Sequence, residues 1–306
     1  MIGIIIIQPK WKKLKSFNNI LGKDKLIPIE FDQIKKYKYD FIVQNGLKKP
    51  GRQNIHIYEY AENIYKEKNI PTLIREAPVL RKISNGASSS SLEKISFEDK
   101  WIKLSWNSYY IDEGLFPYDP SYDRWSELSK KYNINIENWQ RRGDAVLLNL
   151  QKGGDSALNR LTYNGINYID YIIEKIKQIQ LITDRPLIIR SHPLDRIIEP
   201  YLQRIFPNIE YSKNQNLYDD LDRAWCMITY NSTSCVESTL YGTPTIVLDP
   251  SAVSTPVSQT NLEQIEESWD ADRSEWCKKI AFHQWQGKEL TDGYVWNLLK
   301  QTAKLK

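Results

Sequence analysis

Between Pro186 and Pro250 three short apolar runs, Pro186–Ile189, Cys226–Thr229 and Thr245–Leu248, alternate with segments of helical periodicity. That rhythm predicts a parallel sheet wrapped by helices. The residues that follow each strand carry the functional information. Arg190-Ser191-His192-Pro193 follows the first strand and Asn231-Ser232-Thr233-Ser234 the second. In an open parallel sheet the ligand crevice lies outside the carboxyl ends of the strands. Two polar clusters on such ends point to one site.

The second cluster opens a helix expected to run to about Tyr241, closed by Gly242 and Pro244. Hydroxyls and free backbone N–H groups meet at a helix start, where the dipole adds positive potential, a combination suited to phosphate or diphosphate. Glu237, one turn on, is placed to accept from ribose hydroxyls, and His192 adds a donor. A Ser or Thr before a helix is ordinarily an N-cap. Three hydroxyls in a row opposite an Arg-Ser-His-Pro turn shift the reading toward an anion site.

The order His-Pro, then some forty residues on Ser-Thr-Ser-x-x-Glu, four further residues and Gly-x-Pro resembles the donor half of nucleotide-sugar glycosyltransferases with the GT-B fold. It is most similar to bacterial capsule-polysaccharide transferases, including the Kdo and sialic acid groups, and to related bacteriophage glycosyltransferases. The resemblance covers roughly the C-terminal half. It implies an α/β, GT-B-like architecture: two Rossmann-like domains with parallel sheets facing across a cleft. It also implies that His192, Ser232, Thr233 and Ser234 hold the nucleotide phosphate, with Glu237 on the ribose; Arg190, in the same turn as His192, is a further candidate for the donor set. A Gln-(x)3-Asp-Ser turn at Gln151, Asp155 and Ser156 resembles one that lines the donor pocket in the capsule transferases. No Walker or GxGxxG fingerprint is present.

Ile2–Ile7 reads as a first buried strand and no apolar run approaches membrane-spanning length, so the expectation is a soluble, cytoplasmic protein, in the host cytoplasm if phage-encoded. Further elements are expected at Phe41–Gln44, Ile55–Lys68, Thr72–Ile74, Trp101–Ser105 and Ala145–Leu150. Helices are expected at Tyr163–Leu181, Asn261–Trp269, Arg273–Trp285 and Tyr294–Lys304. Ala87–Ser91 reads as a polar loop. The domain boundary is placed near Trp139–Asp144, giving an acceptor domain over 1–142 and a donor domain over 143–306, with the last helix able to pack back on the first. Cys226, Cys235 and Cys277 form neither a disulfide framework nor a zinc spacing. His283 sits among Trp276, Phe282 and Trp285, where packing is the simpler role.

The net charge of +4 is uneven. Residues 1–150 carry a basic excess, with lysines at 10, 12, 13 and 15, at 35, 36 and 38, and at 48 and 49 beside Arg52. A basic acceptor domain favours a polyanionic acceptor.

Sugar transfer to a hydroxyl requires a base and stabilisation of the departing nucleotide phosphate. Asp112-Glu113-Gly114, after an apolar strand, resembles the acidic-acidic-glycine motif that supplies the base in sialic acid polymerases. Glu113 is the preferred candidate, Asp112 its neighbour, and Glu76 the second choice; an ordinary turn with exposed acids is the competing reading. Asp220-x-Asp222 and Asp270-x-Asp272 fit the metal-binding Asp-x-Asp spacing, but the first pair lies on a helix, where such positions diverge, and the second suits capping. No metal or cofactor is expected beyond the nucleotide-sugar co-substrate.

The reading is a metal-independent glycosyltransferase acting on an anionic polymer. DNA with hydroxylated or hydroxymethylated pyrimidines, as in bacteriophage genomes, is the favoured acceptor, since the 10 Trp and 19 Tyr offer stacking for a flipped base. A capsule or envelope polysaccharide is the alternative. A sugar-nucleotide epimerase of the same fold, or a binding protein without turnover, is more distant.

Overall fold

The computed structural model describes residues 1–6, 21, 23–46, 55–84, 96 and 98–305. Ile7, Trp11, the lysines at 10 to 15, Lys48, Lys49, Arg52 and the loop Ala87–Ser91 lie outside the described residues. The chain divides into two compact units, Met1–Ile134 with Cys277–Lys306, and Asn135–Trp276.

In the first unit, strands β1 (Ile2–Ile6), β2 (Lys25–Ile29), β3 (Phe41–Asn45) and β4 (Thr72–Glu76) run parallel, and β5 (Trp101–Trp106) joins β4 antiparallel. Strand β2 escapes the periodicity reading because Pro28 interrupts it; it is tolerated because β2 forms the sheet's edge, where one ladder is absent. Gly3 pairs with Phe41, and a Cβ there would come within 2.3 Å of the Phe41 ring. Helix α1 (Ile55–Lys68) crosses between β3 and β4 and buries Ile57, Tyr58, Ala61 and Ile64 on one face. Of these, Ile57, Ala61 and Ile64 meet Ile4, Ile6 and Ile42 in one core. Helix α2 (Arg124–Tyr132) starts on an Asp123 cap, whose carboxylate accepts from the Ser126 N–H, and stops at Asn133 in the left-handed region.

The second unit is a fully parallel five-stranded sheet. Its elements are β6 (Ala145–Asn149), α3 (Asn159–Tyr163), α4 (Tyr168–Ile182), β7 (Leu187–Arg190), α5 (Ile198–Ile205), β8 (Glu210–Tyr211), α6 (Leu217–Leu221), β9 (Ala224–Thr229), α7 (Ser234–Leu240) and β10 (Thr245–Val247). The strand order is β10-β9-β6-β7-β8. Val146, Leu148, Ile189, Ile228 and Ile246 form the core with Ile172, Ile176 and Ile179 of α4. The single helix expected over Tyr163–Leu181 is two, broken at Gly165 (φ 71°) and restarted on an Asn167 cap. Ile166 therefore falls outside the helix and is exposed.

Helix α8 (Ser274–Ala281) begins near the end of the second unit, and the chain then returns to the first as β11 (Gln284–Gln286) and α9 (Tyr294–Thr302). The helix expected to reach Trp285 ends at Ala281, because Gln284–Gln286 pair antiparallel with β5. Asn261–Trp269 reduces to a 3-10 turn, Leu262–Glu266, with an Asn261 capping box. The units thus change at 134/135 and again at 276/277, whereas the sequence reading placed one boundary at 142/143. Two anchors account for the return. Trp296 packs on Phe41 at 5.1 Å and Trp106 at 6.2 Å, and the Trp106 Nε1–H donates to Leu299 O at 2.9 Å. Arg124, 1% exposed, forms two bonds to Glu289 at 2.7 and 2.9 Å and donates to the carbonyls of Ala281 and Gln284, so the buried cation is fully paired. Among the described residues no helix is long and apolar enough to cross a membrane.

Candidate functional site

In the second sheet the chain winds from β6 outward through β7 and β8, then returns to the other side of β6 for β9 and β10. The direction reverses between β6 and β9, so the crevice of such a sheet opens between the loops that follow them. Those loops start at Leu150 and Tyr230, and both strands end in polar residues. The Gln151 side chain donates to Asn231 Oδ1 at 2.7 Å and accepts the Asn231 N–H at 3.1 Å. Asn231 Nδ2 in turn donates to Ala157 O at 2.9 Å and Ser251 Oγ at 2.7 Å. The buried Tyr168 hydroxyl accepts the Gln151 N–H at 2.8 Å.

The turn after β6 depends on Gly154, which sits at φ 64° where a side chain is strained. Asp155 accepts the Ala157 N–H at 3.1 Å, and the Ser156 hydroxyl lies 3.4 Å from the same oxygen. Gly153 N–H donates to Asp195 Oδ2 at 2.8 Å, tying this turn to the one after β7. His192 is in that second turn. Its Nδ1 accepts the Leu194 N–H at 3.1 Å, which leaves the neutral ring's proton on Nε2. Burial alone would raise the Asp195 carboxyl, but hydrogen bonds from the N–H groups of Ile198, Gly153 and Ile197 hold it below the usual carboxylate range.

His192 and the Ser232–Thr233 pair therefore stand on the same carboxyl edge, after β7 and β9, with the β6 turn between them. The hydroxyls are not equivalent. Ser234 is buried and its Oγ accepts from Asn149 Nδ2 at 2.8 Å, so it locks α7 to β6. Ser232 Oγ accepts the Ser234 N–H at 3.4 Å, and Thr233 occupies the cap position with no side-chain cap bond. Glu237 is half-buried in the first turn of α7. Arg190 differs most from expectation. Its guanidinium pairs with the fully buried Asp220 and donates to Asn214 O at 2.8 Å and Gln215 O at 2.9 Å, which makes it a brace of this sheet edge. Ser212 and Asn214 complete the Asp220 shell, while Asp222 accepts from Tyr241 OH and Asp272 caps α8. Among the described residues there is no cluster of three or more His, Cys, Asp or Glu able to hold a metal.

The carboxylates of the first unit fall on two opposite edges of its sheet. Glu76 ends β4 and stands at the carboxyl edge of the parallel strands, half-buried, with its Oε1 accepting the Ala77 N–H at 2.8 Å. Beside it Arg75 Nη1 donates to Asn45 Oδ1 at 2.7 Å. Asp112 and Glu113 follow β5, which is antiparallel, and its end Trp106 pairs with Leu73 at the start of β4. They therefore come off the amino edge, exposed, with the Ser108 hydroxyl donating to Glu113 at 3.1 Å. The structure does not bring them to the strand ends where Glu76 lies. His283 is buried and stacked on Phe116 at 4.1 Å; burial and Lys103 hold its pKa well below the ordinary histidine value.

Periodicity assigned no role to Asn149 or to the Tyr230–Asp249–Arg160 cluster. Tyr230 OH donates to Asp249 Oδ2 at 2.7 Å and Arg160 pairs with Asp249 Oδ1 at 3.2 Å. For Asn149, Tyr230 and Asp249 the signal was present, since each is a polar residue at, or just past, the end of an apolar run; Arg160, inside α3, carried none.

No family profile matches the chain, and no curated protein matches it. Among solved structures it is similar to the beta Kdo 2,7 transferase of Thermosulfurimonas dismutans KpsC, at 12% identity over 96% of this chain and 98% of that one, with a TM-score of 0.55. It is also similar to the beta Kdo 2,4 transferase of the same KpsC, at 13% identity over 90% and 89%, with a TM-score of 0.52. Two α/β units with mostly parallel sheets, shared along nearly the whole length of these transferases, give the chain a GT-B-like fold.

Proposed function

We propose that the chain is a glycosyltransferase whose second unit binds a nucleotide-sugar and whose acceptor is a hydroxyl of a capsule or envelope polysaccharide. The observation that carries this is the convergence of Gln151, His192 and Asn231-Ser232-Thr233 on one carboxyl edge at the strand-order reversal. In this reading His192 Nε2–H, the Ser232 and Thr233 hydroxyls and nearby N–H groups hold the phosphate of the leaving nucleotide. Asp155 and Ser156 line the donor pocket, Glu237 accepts from the ribose, and Ser234 positions α7.

The acceptor oxygen bonds to the anomeric carbon as the carbon–oxygen bond to the nucleotide phosphate breaks. The acceptor proton passes to a carboxylate, and the donors around the phosphate stabilise the charge that leaves with the nucleotide. Glu76 is the proposed base, in place of Glu113 or Asp112, because it occupies the carboxyl edge where ligands of parallel sheets bind. The likeness to Kdo transferases favours a glycan over hydroxylated DNA.

The deciding experiment is a thermal-shift screen against UDP-, GDP- and CMP-sugars, followed by transfer assays on the donor that binds. A ligand of the folded state alone raises the melting temperature. Absence of a shift with every activated sugar overturns the reading.

A further inference from the structure

We propose that a cavity on the flank of α4 is a second binding site, one that takes a neutral saccharide. The cavity holds about 400 Å³, within the range of small-ligand sites, and lies wholly in the second unit, between the helix and the stretch from Leu248 to Glu263. None of its lining residues belongs to the donor set at the carboxyl edge. Leu248, Leu262 and Ile182 give it an apolar surface. Thr260, Asn261 and Glu263, all exposed, bring a hydroxyl, an amide and a carboxylate to one wall, while Tyr171 and Lys175 of α4 stand on the other.

The lining selects the ligand by elimination. Lys175 Nζ donates to Gln178 Oε1 at 2.9 Å and lies 3.9 Å from the Glu174 carboxylate, so its charge is already compensated and offers little to an anion, which would also face Glu263. The same ammonium opposes a cation. It lies 5.1 Å from the centre of the Tyr171 ring, which Tyr230 meets at a near right angle with centroids 5.6 Å apart. A ring flanked in this way is a poor platform for a stacked nucleobase, but its hydroxyl is in no hydrogen bond among the described residues. An acyl chain would leave that hydroxyl, the Asn261 amide and the Glu263 carboxylate against hydrocarbon, which is costly. A neutral saccharide meets each of these conditions. Its hydroxyls both donate and accept, which suits Tyr171, Thr260, Asn261 and Glu263, and its C–H faces cover Leu248 and Leu262. The inference is independent of which sugar, if any, is transferred.

The test is saturation-transfer NMR on the full chain with three probes: maltotriose and tri-N-acetylchitotriose, which are neutral, and trigalacturonate, which is anionic. At least one neutral trisaccharide is expected to bind at millimolar concentration, and more tightly than trigalacturonate. Tyr171→Phe should weaken that binding about fivefold, the loss of one hydrogen bond. Thr260→Trp, which puts an indole into the cavity from an exposed position, should abolish it, and thermal unfolding verifies the fold of each variant. Neither substitution should change the melting-temperature shift that a nucleotide-sugar produces, so failure of this site and failure of the donor reading are told apart. The proposal is overturned if neither neutral trisaccharide shows transfer, if trigalacturonate binds more tightly than both, or if both variants bind as the wild type does.

Discussion

Gln151 and Asn231 face each other across the boundary between β6 and β9 and exchange two hydrogen bonds, at 2.7 and 3.1 Å. The pair joins the two loops that flank the candidate donor crevice. Asn231 also reaches Ala157 and Ser251, so one amide fixes three loops. Asn231→Ala should destabilise the protein by about 2 kcal/mol, as expected when partly buried partners lose their bonds, and should weaken donor binding as well. Denaturant unfolding with and without the donor measures both. A variant as stable as the wild type with unchanged donor affinity would remove this pair from the site.

Removal of the His192 imidazole should lower kcat/KM for the donor by about a hundredfold, the magnitude for one donor to a developing oxyanion. Because Nδ1 accepts the Leu194 N–H, the useful proton is on Nε2. His192→Gln, which retains a donor near that position, should recover part of the loss that His192→Ala causes. Equal loss in both variants, or weakened acceptor binding instead, counts against the phosphate role.

The edge argument separates the carboxylates. Glu76→Gln should cut turnover by about a hundredfold or more, whereas Glu113→Gln and Asp112→Asn should leave it within a few-fold of wild type. Steady-state rates at saturating donor give the answer, and the reverse pattern would return the base to the loop after β5.

Arg190→Met leaves the Asp220 carboxylate, 0% exposed, without its cation. The expected cost is about 3–5 kcal/mol, read as a large drop in melting temperature before any effect on chemistry. A mild loss of stability with a strong loss of donor affinity would return Arg190 to the ligand set.

Asp195 has a pH signature. Its folded pKa lies below the unfolded value, so the group adds stability above about pH 4 and loses it as pH falls through the folded value. Asp195→Asn should flatten acid unfolding in that window and loosen the contact between the Gly153 and His192 turns. Parallel acid-unfolding curves for variant and wild type would contradict this.

Strands β6, β7, β9 and β10 were legible because parallel strands covered on both faces read as unbroken apolar runs. Strands β2 and β11 were not. Pro28 disguises the one, and Gln284-Trp285-Gln286 becomes a strand only through pairing with Trp101–Lys103 of β5, far away along the chain. At the site, His192 and Asn231 could be placed because strand ends are visible in sequence. The pairing of Arg190 with Asp220 and of Ser234 with Asn149 could not, since both are set by the assembled sheet. The edge that Glu113 occupies depends on the direction of β5, which apolar spacing does not encode.

The return of Cys277–Lys306 to the first unit has a consequence for biosynthesis. Domains usually fold as they leave the ribosome, the amino-terminal one first. Here the β5 edge waits for Gln284–Gln286, and Trp296, whose indole donates to Asp24 at 2.7 Å, emerges later still. The continuous middle unit has its whole sheet well before then. The order of maturation should therefore be inverted: the second unit is the earlier to become native, and the sheet of the first is completed only once Gln284–Gln286 have been translated.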